Sequence, residues 1–184
     1  MSTHATKQWQ LLFAKLRERT TNVRIGIISD THDQILRTER AIEILRSHDI
    51  SALLHCGDLI GPEMIYLCSC FPFYFVFGNH DADFVPQLQA AATEVGAHCL
   101  RWSGEIVLAE KKIAIVHGHL STDTTRLLSG NPDYLFSGHS HVARDVLVSK
   151  TRRMIPGALH DAETFSVAVL DLVSDSLQFV NVLS

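Results

Sequence analysis

The sequence predicts an α/β domain whose core is two mixed β-sheets flanked by helices. Three observations lead there. Through the first half, β-branched and aromatic runs alternate with segments of helical periodicity, the pattern of parallel strands joined by crossover helices. In the middle, "GEIVLAE" and "KKIAIV" follow one another with no room for a helix, which predicts a hairpin turning at a Glu-Lys pair. Toward the end, "RDVLVSK", "FSVAVLDLV" and "LQFVNV" are separated by polar turns alone.

The elements follow in order. Within residues 1–22, "KQWQLLFAKLRER" carries Trp9, Leu12, Phe13 and Leu16 on one helical face, an N-terminal extension. It is expected to pack on the domain or build a homo-oligomer contact, rather than to target an organelle. "VRIGIIS" (23–29) reads as a strand running into a loop, and "ILRTERAIEILRSH" as a helix with Ile35, Ile42 and Leu45 on one face. "SALLHC" (51–56) is a second strand, a short helix follows near 63–70, and "FYFVF" is a third strand ending at Gly78. Helices are expected near 84–95 and 122–129, with the strand "DYLFSG" after the second.

At 184 residues and 46% apolar content the chain suits one domain, placed at 23–184. A formal net charge of −4 offers no basic field for a polyanion, so nucleic acid is not indicated as a partner. The longest apolar runs fall short of the roughly 18 residues of a membrane span, and no secretory signal stands at the start. Cys56, Cys68, Cys70 and Cys99 lack metal-knuckle spacing and read as reduced core thiols, which predicts a cytoplasmic protein.

The chemistry lies at the strand ends. Asp30 and His32, then Asp58, then Asn79 and His80, then His117 and His119, then His139 and His141 each follow a predicted strand. The carboxyl ends of parallel strands line one crevice, so residues distant in sequence converge there. Asp30/His32 and His139/His141 have i, i+2 spacing, which in an extended segment turns both side chains to the same side. Carboxylate, imidazole and amide ligands together suit divalent transition metals, and seven such ligands exceed the needs of one ion. Two ions are therefore expected, with Asp58 able to bridge them. Such a pair holds a bridging hydroxide and clamps a phosphoryl group for in-line attack.

The stretches "SDTHD", "HCGD", "FGNHD", "HGH" and "SGHSH", in that order, resemble the signature of the calcineurin-like metallophosphoesterases. Within that family the short chain resembles the small YfcE-like phosphodiesterase branch, which also includes relatives used as scaffolds in retromer. The resemblance implies an αββα sandwich. It implies one metal on Asp30, His32, Asp58 and His141 and another on Asp58, Asn79, His117 and His139. It also implies that His80 is a catalytic acid or a transition-state stabiliser, and that manganese is the first choice of metal, with Fe, Zn, Ni or Co as alternatives.

His119, beside a ligand, is expected to face substrate, whereas His4, His48, His98 and His160 are expected to stay out of the site. Gly57, Gly78, Gly118 and Gly138 stand beside ligands where a side chain would crowd them. Asp33 or Asp81 is expected to accept the distal proton of a ligand histidine. "IPGA" at 155–158 stands where relatives have Asn-Pro-Gly-Ser, which removes two polar groups.

The expected activity is hydrolysis of a small phosphoester, a diester before a monoester. The alternatives are a non-catalytic scaffold and a phosphatase of nucleotide substrates. For the latter, "LRW" (100–102), "TRR" (151–153) and Arg126 are the available substrate walls, with surface ion pairing as the competing explanation.

Overall fold

The structure is a computed structural model and describes residues 23–183. The predicted N-terminal helix lies outside the described residues. Eleven strands follow in order: β1 (Arg24–Ile28), β2 (Ala52–His55), β3 (Phe73–Phe75), β4 (His98–Cys99), β5 (Ser103–Leu108), β6 (Lys111–Val116), β7 (Tyr134–Phe136), β8 (Arg144–Val148), β9 (Thr151–Ile155), β10 (Ser166–Asp171) and β11 (Ser176–Asn181). Four α-helices intervene: α1 (Ile35–Ser47), α2 (Pro62–Cys68), α3 (Val85–Val95) and α4 (Ser121–Ser129).

The strands form two mixed sheets, one ordered β11-β10-β1-β2-β3-β4 and the other β5-β6-β7-β9-β8. In the first, β1, β2, β3 and β4 run parallel; in the second, β6, β7 and β9 do. Alternation along β1 shows how the layers are built. Ile25 and Ile27 point between the sheets, where they meet Ile113, Ile115, Phe136 and Leu170. Ile28 points the other way, into a core with Leu45, Met64, Phe73 and Leu88 from the helices α1 to α3 and β3. A smaller cluster of Ala114, Val116, Leu127 and Leu135 seats α4 on the second sheet. The predicted two sheets flanked by helices are what the chain forms.

Several details differ from the sequence reading. β3 ends at Phe75, because Gly78 and a 3-10 helix over Asn79–Phe84 take the chain out of the sheet before the metal-type residues. The hairpin turns at Ala109 and Glu110, both left-handed (φ 48° and 63°), one residue earlier than the Glu-Lys pair. β4 and β9 were not anticipated. "TRR" is the start of β9, and Arg152 is tied by Asp145 at 2.8 Å and Asp175 at 2.6 Å, so surface ion pairing accounts for it. Arg126 is likewise paired with Asp123. Ile35 is exposed at the start of α1, whose inner face is Thr38, Ala41, Ile42 and Leu45. Cys56 and Cys68 are buried thiols and Cys99 is half-buried, but Cys70 is exposed and is not a core residue. No helix among the described residues is long and apolar enough to cross a membrane.

Candidate metal centre

The parallel strands of both sheets end at the same place, and the loops beyond them are stitched together by backbone hydrogen bonds. Asp30 N–H donates to the Gly57 carbonyl (3.0 Å) and His32 N–H to the Asp58 carbonyl (3.1 Å), which joins the loops after β1 and β2. Gly138 N–H donates to the His117 carbonyl (2.9 Å), which joins those after β6 and β7. Between the sheets, His139 N–H donates to Asp30 Oδ2 (3.1 Å), and Leu159 N–H reaches the Asp30 carbonyl (3.2 Å).

These loops are not extended. Asp30, His32, Asp58, His139 and His141 all have left-handed backbones, with φ between 41° and 67°. The i, i+2 argument therefore fails: the side chains converge because each loop coils, at sites that cost non-glycine residues some strain. One consequence is that His139 and His141 part company. His139 lies against His117 and His119 (ring centroids 5.2 and 6.2 Å), whereas His141 lies against His32 (6.0 Å).

Two buried carboxylates, Asp30 and Asp58, stand at the centre. His141 Nε2 is 3.2 Å from Asp30 Oδ1, and Asp58 Oδ2 lies between His32 Nε2 (3.3 Å) and His117 Nε2 (3.2 Å). Asn79 Oδ1 is 3.0 Å from His117 Nε2 on the far side. The neighbouring His80 turns the other way, its ring 5.0 Å from His32, and its N–H donates to Asp58 Oδ1 at 2.9 Å. A Cβ at Gly78 would run into the Asp58 carboxylate, and one at Gly138 into the Ser29 hydroxyl, so both positions require glycine for the loops to close.

Proton accounting decides what the centre can hold. His117 Nδ1 sits 2.9 Å from the Cys56 carbonyl, and His141 Nδ1 2.9 Å from that of Asp161. A carbonyl only accepts, so each ring must donate from Nδ1. A neutral ring then aims the Nε2 lone pair at carboxylate oxygens. Lone pair facing lone pair at 3.2 Å is repulsive unless a cation lies between them, either a proton on the ring or a metal ion. His32 Nε2 is likewise buried and lies 3.3 Å from Asp58 Oδ2. Two sets, Asp30 with His32 and His141, and Asp30 with Asp58 and His117, gather their ligand atoms within 4.8 Å and could each hold an ion.

The titration behaviour agrees with this electrostatic picture. Burial alone would lift Asp58, but hydrogen bonds from His117 and His32 outweigh it and hold its carboxyl well below the usual range. For His117, burial works against the proton while Asp58 and Asp30 more than compensate, so the metal-free ring is pushed up. His55, fully buried, is pushed down to about 3. Its Nδ1 accepts from Gly57 N–H (3.1 Å), so its Nε2 donates to Thr31 Oγ1 (3.0 Å), which in turn donates to the Asp58 carbonyl (3.3 Å). His55 thus supports the loop that carries Asp58.

Asp81 and Asp33 do not take a ligand's distal proton. The Asp81 carboxylate collects the N–H groups of Asp58, Leu59, Ile60 and Gly78 at 2.7 to 2.9 Å, which clamps the loop after β2 to the one after β3. Asp33 is exposed beside Glu63, and burial and Glu63 push its carboxyl up. Backbone carbonyls of Cys56 and Asp161 do the expected work. His160, expected outside, stands in the site with its ring 4.6 Å from that of His32. "LHD" directly after "IPGA" was the available signal, since it returns polar groups to a turn that had lost two.

Residues 23–175 match the model of the calcineurin-like phosphoesterase superfamily domain. The chain belongs to that superfamily. It is 26% identical over 122 residues to Phosphodiesterase MJ0936 of Methanocaldococcus jannaschii, covering 65% of this chain and 74% of that protein. Among solved structures it is similar to a novel archaeal phosphodiesterase (TM-score 0.78, 23% identity, 86% of this chain and 99% of that one). It is similar also to YfcE, a phosphoesterase from E. coli (TM-score 0.62, 16% identity, 88% and 100%). The recognised branch and the two-sheet architecture stand on these likenesses.

Proposed function

We propose that this chain is a dinuclear metal-dependent phosphodiesterase acting on a small phosphoester. The observation that carries the reading is the pair of histidines, His117 and His141, whose Nδ1–H groups are committed to carbonyls and whose Nε2 atoms face carboxylate oxygen at 3.2 Å. Asp30, His32, Asp58 and His141 form one half of the proposed ligand set, and Asp58, Asn79, His117 and His139 the other. Asp30 is within reach of both halves, but its oxygen is 4.0 Å from His117 Nε2 against 3.2 Å for Asp58. Asp58 Oδ2 alone stands close to a histidine of each half, so the bridge is assigned to Asp58.

Two divalent ions bound there supply a nucleophile at neutral pH and neutralise the phosphoryl oxygens. The chain's own residues do the rest. The Asp81 clamp fixes the loop that aims Asp58, and the Cys56 and Asp161 carbonyls fix two imidazoles in the tautomer that offers Nε2. His80, exposed and anchored through its backbone N–H to the Asp58 carboxylate, is placed to protonate the leaving oxygen or to hold a phosphoryl oxygen. His119 borders the second half at 5.5 Å from His117, where burial and the neighbouring histidines push its pKa down, and it offers a neutral contact to substrate. The diester preference rests on the likeness to the archaeal phosphodiesterase, and the mixed oxygen and nitrogen ligands suit a divalent transition metal, manganese among them.

Assaying aryl phosphodiesters, aryl phosphomonoesters and cyclic nucleotides with Mn, Zn, Ni, Co and Fe tests the reading. Diester hydrolysis that disappears with chelator and returns with metal is expected. His80→Ala should lower turnover roughly 10² to 10⁴-fold with metal content intact. Loss of metal together with activity in that variant would make His80 a ligand or a structural residue instead.

A further inference from the structure

We infer that His160 is a positioning residue that aims His32 at the metal centre by ring stacking. The inference rests on the reading of the site as metal-binding. Of the three histidines whose Nε2 atoms face the central carboxylates, two are aimed by hydrogen bonds from their distal nitrogens, His117 to Cys56 and His141 to Asp161. Among the described residues no hydrogen bond holds the distal nitrogen of the His32 ring, and its buried Nε2 has only the Asp58 carboxylate beside it, at 3.3 Å. An imidazole without such a tether can rotate about χ2, and every rotation moves Nε2 off the metal direction.

What holds the ring is the imidazole of His160, 4.6 Å away and tilted by only 33°. His80, on another side, is 5.0 Å away but tilted by 59° and is itself exposed, so it is the weaker restraint. His160 is in turn held by a rigid turn. Leu159 N–H is bound by the carbonyls of Ser29 and Asp30 (3.3 and 3.2 Å), and Arg37 Nη1 donates to the Leu159 carbonyl at 2.5 Å while its guanidinium lies over the Phe165 ring. The next residue, Asp161, supplies the carbonyl that aims His141. One short turn after β9 therefore positions both histidines of the same half, one through a carbonyl and one through a ring.

The role needs an aromatic ring at 160 and no particular nitrogen. Titrating Mn or Zn into the metal-free full chain by calorimetry separates these requirements. His160→Ala should weaken one of the two ions about tenfold, the scale for a residue supporting a metal ligand, and leave the other unchanged. His160→Phe should restore the affinity to within about threefold. In a His32→Ala background, His160→Ala should add nothing, and thermal unfolding of the metal-free variants should match that of the parent. Equal losses in the Ala and Phe variants would show that a nitrogen of His160 is required and would overturn the proposal. So would unchanged affinity in His160→Ala, or a further loss in the His32→Ala background. Failure of the parent chain to bind two ions would instead defeat the metal reading on which the inference rests.

Discussion

The two halves of the proposed centre hold their histidines in opposite settings. His117 leaves β6 fully buried, with its distal nitrogen on the carbonyl of buried Cys56, directly after β2. His32 and His141 sit on coiled loops, half-buried, and are aimed by a single turn at the rim. The difference teaches that His117 is oriented by the folded core, whereas His32 and His141 are oriented on top of it. Orientation of His117 comes from packing that exists without metal, whereas that of His32 and His141 depends on a few contacts near solvent.

The strongest way to break the comparison is to remove what the halves share. Asp58→Asn should weaken both ions by more than about a hundredfold and abolish turnover, because one carboxylate charge serves two cations. Retention of either ion at its original affinity, measured by calorimetry, would return the two halves to independence.

Asp81→Asn comes next. An amide cannot accept four N–H groups, and its own NH₂ would face donors, so unfolding free energy should fall by about 2–4 kcal/mol in denaturant titrations. A smaller contrast separates the halves directly. His117→Ala strands the buried Cys56 carbonyl and should cost about 1–3 kcal/mol even without metal, whereas His141→Ala leaves an Asp161 carbonyl that water can satisfy and should change stability by less than about 0.5 kcal/mol. Equal destabilisation would erase the distinction between core and rim.

A last contrast is in pH. His55, pushed down to about 3 by burial, refuses a proton that the unfolded chain accepts below about 6.5. Its contribution is therefore fully present above pH 6.5 and is lost on acidification toward 3, by at most about 1.4 kcal/mol per pH unit. His117 in the metal-free chain has the opposite sign: its raised pKa adds stability below the unfolded value, which is lost as pH rises through the folded one. Comparing stability between pH 5 and 8 in His55→Gln and His117→Gln should show slopes that change in opposite directions.

The convergence of the site residues was legible in the sequence because they are side chains at strand ends. Asp30, Asp58, Asn79, His117 and His139 each follow an apolar run, and parallel strands must bring their ends together whatever the loop geometry. The loop geometry itself was not legible. Left-handed φ values at Asp30, His32, His139 and His141 do not follow from residue type alone, so an extended reading gave the right neighbours for the wrong reason and joined His139 to His141 when they separate. The backbone carbonyls of Cys56 and Asp161 could not be found at all, since every residue has one. His160 lay concealed behind a turn whose composition had changed, and β9 behind a pair of arginines that face ion-pair partners and not a groove.

The central claim is that metal ions take the place of protons between the histidine and carboxylate pairs, and proton release during metal titration tests it most directly. Titrating Mn into metal-free protein near pH 6.5 in buffers of different ionisation enthalpy should give two ions per chain, with proton release that falls when His117 is replaced by Ala. Binding of fewer than two ions, or of two ions with the same proton release in the His117→Ala variant, would contradict it.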